Sequence, residues 1–355
     1  MSKRIFAFLI ALMALAILAS AQTDSTKPAG PLSVTPMPGE KHLTNVRQIT
    51  FGGMNAEAYF SYDGKMLSFQ SARDGHPCDA IYTMNIDGSN LHEVSDGRGV
   101  CTCSQLQPDG KAIIYASTTL YDSTCPPRPD FSKGYVWALY KGYEIFKANP
   151  DGSKPVRLTN SDGYDAECVY SPDGKKILFT SVRSGDLELW MMNADGSNPE
   201  QLTHEVGYDG GGWFSEDNQW IVWRAARPKG EELKEYKELL AEGLVRPHAL
   251  EIYMMNLKDR KPIQMTDNGA ANFAPYFHPD GKHVIFCTNV ADPQGRVFNL
   301  HLVDIATKKV EQVTFDNGFD GFPMFSHDGK HLVFASSRGA KAPHETNIFV
   351  ADWVW

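Results

Sequence analysis

Catalytic signatures are missing from this 355-residue sequence. It holds no Gly-x-Ser-x-Gly elbow, no phosphate-binding loop and no zincin helix, which sets aside the chemistries built on those motifs. Positive charge is in deficit: 34 Lys and Arg stand against 43 Asp and Glu, a formal net charge of −9. An acidic chain is a poor binder of nucleic acid or anionic lipid, and it suits cations, cationic surfaces or neutral ligands. Long apolar runs are scarce too. One run, Ile5 to Leu18, follows Lys3 and Arg4 and precedes Ala19-Ser20-Ala21, a small-residue cleavage site. The pattern predicts a signal peptide over 1–21, with an apolar core too short to span a bilayer comfortably. No further membrane span is expected. With Gln22 rather than Cys at the cut, no lipid anchor is expected either. The mature chain, at a charge of about −11, should be exported to the periplasm or secreted. Residues 22–42, rich in Pro, Ser, Thr and Gly, read as a flexible leader.

What the sequence does have is repetition. Six tetrads recur: Tyr62-Asp63-Gly64-Lys65, Pro108-Asp109-Gly110-Lys111, Pro172-Asp173-Gly174-Lys175, Glu216-Asp217-Asn218-Gln219, Pro279-Asp280-Gly281-Lys282 and His327-Asp328-Gly329-Lys330. Pro pre-sets φ and Gly tolerates positive φ, so each tetrad is a tight turn. A short strand precedes each turn, and apolar runs such as Ile177-Leu178-Phe179 and Ile221-Val222-Trp223 follow. A third strand comes next, then a fourth ending in Thr or Ser, as in Val156 to Thr159 and Glu200 to Thr203. Four short strands per repeat make one propeller blade. The sixth repeat ends at Trp353-Val354-Trp355 without its fourth strand, and Val46 to Thr50 has the missing pattern. The reading is an all-β fold: a six-bladed β-propeller over 43–355, its ring closed by the N-terminal strand completing the last blade.

The stretches SPDGKKILFTS and LELWMMNADGSNPEQLT make the chain resemble the TolB-like, PD40-type (WD40-like) propellers of bacterial envelopes, over roughly residues 43–355. Where TolB itself carries an α/β domain, this chain shows the short leader. The resemblance implies an envelope binding protein acting on a protein, peptide or glycan, and a monomer is expected.

Eight residues before each turn aspartate lies a second register: Asn55, Cys101, Asp165, Asp209, Asn272 and Asp320. It precedes the innermost strand, so these side chains are expected to ring the channel mouth. Glu57 and Glu167, two positions on, should face the same way by strand alternation. Converging carboxylates would attract a hard cation such as Ca²⁺, with Asp165, Asp209 and Asp320 as metal ligands. The same residue types also accept backbone N–H bonds in turns, which gives the register a purely structural reading.

Two blades carry insertions between their second and third strands. One, about 120–142, brings Tyr121, Cys125, Phe131, Tyr135, Trp137 and Tyr140. The other, about 225–249, contains a helical stretch from Glu231 to Glu242, then Arg246 and His248. Both should rise beside the channel mouth around blade three and wall a cleft, with Trp137, Arg246 and His248 as candidate ligand contacts; a decorated surface that binds nothing is the plainer alternative. Cys78, Cys101, Cys103 and Cys125 fall on this face and are expected to form one or two disulfides, while Cys168 and Cys287 read as buried thiols. His278, His283, His327 and His331 flank the turns on the opposite face and are expected in solvent. Three functions are compatible with this pattern. One is a binding module acting through the channel-mouth face. A second is a cation-dependent lyase or hydrolase using the carboxylate ring. The third is a structural envelope factor.

Overall fold

In the computed structural model, which describes residues 30–73, 75–292 and 295–355, six antiparallel sheets stand around an axis. The signal peptide and residues 22–29 lie outside the described residues. Each sheet is ordered from its first strand outward, and the first strands of neighbouring blades touch around the ring. Blade three shows the plan: Asp165–Tyr170, Lys176–Ser181, Glu188–Asn193 and Glu200–Gln201. Its turn is fixed by Asp173, which accepts from Ser171 Oγ at 2.7 Å and from the Lys175 N–H at 3.1 Å. In blade four Asn218 occupies the positive-φ position that glycine fills in the other tetrads.

The threonine that ends each repeat has a common task. Its hydroxyl accepts the N–H of a third-strand residue: Ile145 to Thr159, Leu189 to Thr203, Ile252 to Thr266 and Leu300 to Thr314, all at 2.8–2.9 Å, with Ser95 serving Ile81 in blade one. In blade six the acceptor for Ile348 is Thr50, at 2.8 Å, from the far end of the chain. The ring is closed as expected, by Leu43–Gln48 pairing antiparallel with Asn347–Trp353.

Closure goes further than the sequence suggested. The described end of the leader is packed against blade six rather than loose. Leu32–Ser33 adds a fifth strand, pairing with Arg47 and Gln48. Glu40 is buried and receives the Arg338 guanidinium at 2.9 Å, while the same guanidinium holds Asp320 at 2.7 Å. His42 is buried as well, bonded to the Val354 carbonyl at 2.8 Å and stacked on Trp353. Between blades the core is apolar, with Phe69, Phe179, Trp223, Phe286 and Phe334 fully buried. Among the described residues no helix is long and apolar enough to cross a membrane.

Candidate functional site at the channel mouth

The register of Asp and Asn residues does not ring the channel. Asn55, Asp165, Asp209, Asn272 and Asp320 each have 0% exposure. Each is bonded to neighbouring groups of the scaffold. Asp165 accepts from Ser181 at 2.5 Å, Ser161 at 2.9 Å and Arg183 at 2.6 Å. Asp209 takes Trp223 Nε1 at 2.6 Å and both terminal nitrogens of Arg227 at 2.8 and 2.9 Å. Asp320 takes Arg338. The arginine stands eighteen residues after its aspartate in all three blades and lies over aromatic rings, Arg183 on Phe179 and Trp190, Arg227 on Tyr253, Arg338 on Phe334. Asn55 donates to the Gly52 and Thr346 carbonyls, and Asn272 to the Leu250 carbonyl. The calcium reading is corrected accordingly: guanidinium groups already neutralise Asp165, Asp209 and Asp320. Among the described residues no group of three His, Cys, Asp or Glu is placed to hold a metal.

A bulge explains the misplacement. The register shifts inside every first strand, and the residue two positions on adopts positive φ: Glu57 (52°), Cys103 (52°), Glu167 (56°), Gly211 (62°), Ala274 (50°) and Phe322 (54°). Simple alternation fails there. The Asp and Asn side chains stay inside the blades while the bulge residues turn to the axis.

Glu57, Glu167 and Arg224 converge there from blades one, three and four. Arg224 forms an ion pair with Glu167 and a hydrogen bond with the Tyr208 hydroxyl. Glu167 also accepts from the Gly211 N–H at 2.9 Å and from Thr180 Oγ1 at 2.7 Å. Gly211 is required for this arrangement, because a Cβ there would lie 1.9 Å from Arg224 Nη1. Glu57 is less well served, with the Tyr59 hydroxyl at 3.3 Å and the Cys103 thiol as partners. Loss of solvation, reinforced by the nearby Glu167 charge, pushes its carboxyl up to about 7. Deeper in, Tyr59 and Tyr276 stand edge-on to Trp213, at 4.7 and 4.9 Å. Toward the opposite mouth His327 bonds Glu216 at 2.7 Å and packs on Tyr62 at 3.9 Å. His327 is therefore largely buried rather than solvated, and the departures Tyr62 and Glu216 from the repeat are its partners.

The two insertions meet. Trp137–Ala138 pairs antiparallel with Leu244–Val245, and the Leu139 N–H donates to the Gly243 carbonyl at 2.7 Å. The resulting strap seats Trp137 over the Arg224 guanidinium at 5.2 Å and edge-on to Phe273 at 6.0 Å. Its helix, Glu231–Ala241, docks through Tyr236, whose hydroxyl bonds Asp186. Arg246 braces the strap by pairing with Glu235 at 2.8 Å and donating to the Tyr135 carbonyl, while His248 is exposed. At the other end Cys78–Cys125 ties the insertion to blade one, and Cys101 and Cys103 remain free and buried, as do Cys168 and Cys287. The strap leaves Tyr121, Phe131 and Tyr135 at 68%, 49% and 65% exposure. Of the expected site residues, the structure brings together Glu57, Glu167 and Trp137. Arg224, Tyr208 and Gly211 were missed; Gly210-Gly211-Gly212 inside a first strand was the signal in the sequence.

No family model matches the sequence. A TolB homolog of Chlorobium chlorochromatii is 25% identical over 142 residues, covering 34% of this chain and 32% of that protein. The chain thus spans about a third of the length of the curated relatives it matches. The structure of TolB from Acinetobacter baumannii is similar with a TM-score of 0.56 and 17% identity, over 87% of this chain and 65% of that one. An oligogalacturonate lyase in complex with manganese is similar with a TM-score of 0.52 and 14% identity, over 91% and 96%. These likenesses are of fold. The chain is a TolB-like six-bladed propeller.

Proposed function

We propose that the protein is an exported binding module that takes a protein or peptide partner on the strap-bearing face of its propeller. The observation that carries this reading is the strap itself. Two insertions from different blades pair with each other above the channel and leave Tyr121 and the stacked pair Phe131 and Tyr135 in solvent. Exposed aromatic clusters on a rigid support are what partner surfaces are built from, since rings add contact area at little entropic cost. Export to the periplasm or the exterior follows from the expected signal peptide and suits the Cys78–Cys125 disulfide. The cation-dependent lyase reading loses support, because its carboxylates are held by arginines.

The test is site-specific photo-crosslinking in the native host. A crosslinker at Tyr135 should trap a discrete protein adduct, and one at Val310, on the outer edge of blade five, should not. Tyr121→Ser with Phe131→Ser should abolish the adduct without lowering the melting temperature. Equal labelling at both positions, or capture of polysaccharide alone, would refute a protein partner.

A further inference from the structure

We infer that a cavity at the junction of blades one and two binds the ammonium group of a small organic amine, with Asp79 as its anionic partner. At every blade junction a carbonyl just before the third strand accepts the N–H of the next blade's register residue. The pairs are Thr346 with Asn55, Tyr143 with Asp165, Leu187 with Asp209, Leu250 with Asn272 and Phe298 with Asp320, at 2.9–3.1 Å. In these five the carbonyl residue is uncharged and the register residue is Asp or Asn. The junction of blades one and two inverts the pattern, pairing Asp79 with Cys101 at 2.9 Å. The carboxylate has changed sides.

That exchange strips it of a counter-ion. In blades three, four and six the register aspartate meets an arginine eighteen residues on; eighteen after Cys101 stands Thr119. Among the described residues the hydrogen-bond partner of Asp79 is the Gln70 amide at 3.3 Å, and no ion pair reaches it. Gln70 cannot turn away, because its carbonyl oxygen is held by Thr102 at 2.7 Å and the Cys103 N–H at 3.0 Å.

Asp79 instead lines a cavity of about 300 Å³, walled by Cys101, Ser95, Ser123 and the Cys78–Cys125 disulfide. This is the lower end of the range for ligand pockets (about 300–1,000 Å³), which selects a short ligand. The two basic side chains at its wall are engaged elsewhere, Arg98 with Asp96 at 2.8 Å and His76 with Glu93 at 3.3 Å. Burial raises the Asp79 carboxyl to about 6, which leaves it ionised at neutral pH and without a cation. One carboxylate, several hydroxyls and apolar walls match an alkylammonium. A metal ion would need more ligands than are present.

Calorimetry and thermal melting of the mature protein with n-butylammonium chloride test the assignment, with n-butanol as the neutral isostere. Saturable binding and a raised Tm are expected with the amine and not with the alcohol. Asp79→Asn should weaken binding by about tenfold or more, the scale of a lost charge-assisted bond. Without amine, this variant should melt at or above the wild-type temperature, because it removes an unpaired carboxylate. Cys101→Met, which adds bulk at the cavity wall and keeps Asp79, should also abolish binding. A blocked Gly-Lys-Gly tripeptide forms a second arm: binding as tight as butylamine assigns the ammonium to a partner's lysine, and weaker binding assigns it to a free amine. No saturable binding to the wild type, or equal binding by wild type and Cys101→Met, overturns the inference.

Discussion

Glu40→Ala should open the ring at its seam. Glu40 lies in the segment that the sequence reads as a loose leader, yet it accepts two bonds from Arg338, at 2.9 and 3.3 Å, and one from the Met37 N–H at 2.7 Å. Its side chain has no exposure and that of Arg338 has 4%. Breaking a buried ion pair by removing one partner costs about 3–5 kcal/mol, since it strands the other charge. Here Arg338 keeps Asp320 at 2.7 Å, so the lower end, about 3 kcal/mol, applies. The sign should reverse in an Arg338→Met background. There Glu40 and Asp320 face each other without a cation, and Glu40→Ala becomes stabilising. Urea denaturation of the four proteins gives the cycle, and hydrogen exchange at Leu43–Gln48 localises the loss to the closing strand. A change below about 0.5 kcal/mol for Glu40→Ala, or the same sign in both backgrounds, would refute the view that Glu40 is part of the closure.

Three further outcomes follow from the same geometry. Gly211→Ala should drive Arg224 off Glu167, because the new Cβ lands 1.9 Å from Nη1 at a φ of +62°; a loss of about 2–4 kcal/mol and a change in Trp137 fluorescence are expected in denaturation. Thr50→Val should leave the Ile348 N–H without its acceptor and cost about 1–2 kcal/mol, while Thr44→Val, at an exposed position, should cost less than about 0.5 kcal/mol by the same measurement. Glu57→Gln should reveal the raised carboxyl. The Glu57 carboxyl ionises near 4.5 in the unfolded chain and near 7 in the folded one, so this group costs stability as pH rises through that window and adds no further change above it. The variant, lacking this titration, should gain up to about 3 kcal/mol relative to wild type between pH 4.5 and 7; parallel pH profiles for the two would count against the buried acid.

The fold was legible because its signals are local. A Ser-x-Asp-Gly turn closes on its own side chains, and a terminal Thr answers one N–H in its own blade, so each repeat declares itself within a few residues. The absent sixth threonine could be found at Thr50 for the same reason. The site was less legible because a bulge is a backbone event with weak side-chain preference. Glu57, Cys103, Glu167, Gly211, Ala274 and Phe322 share one conformation and almost no chemistry. Reading the Asp and Asn register as a loop before the innermost strand therefore places it at the channel, and alternation wrongly gives Glu57 and Glu167 the same facing. The strap was hidden differently. Trp137 and Val245 are more than a hundred residues apart, and nothing in either insertion reveals that they pair across blade three.

Departures from a repeat carry more information than the repeat, and here they separate into two kinds. Some are compensated. Gly211 yields its space to Arg224, Glu216 and Tyr62 together hold His327, and Asn218 tolerates the φ of the glycine it replaces. Each keeps the ring closed, so stability of the fold alone accounts for them. Asp79 is of the other kind. Replacing it with the leucine found at the equivalent positions 187 and 250 would remove a desolvated charge that has one long amide bond. A buried charge without a partner lowers stability. Its place on the wall of a cavity lined by the disulfide is accounted for by the cationic ligand inferred above, which would offset that cost.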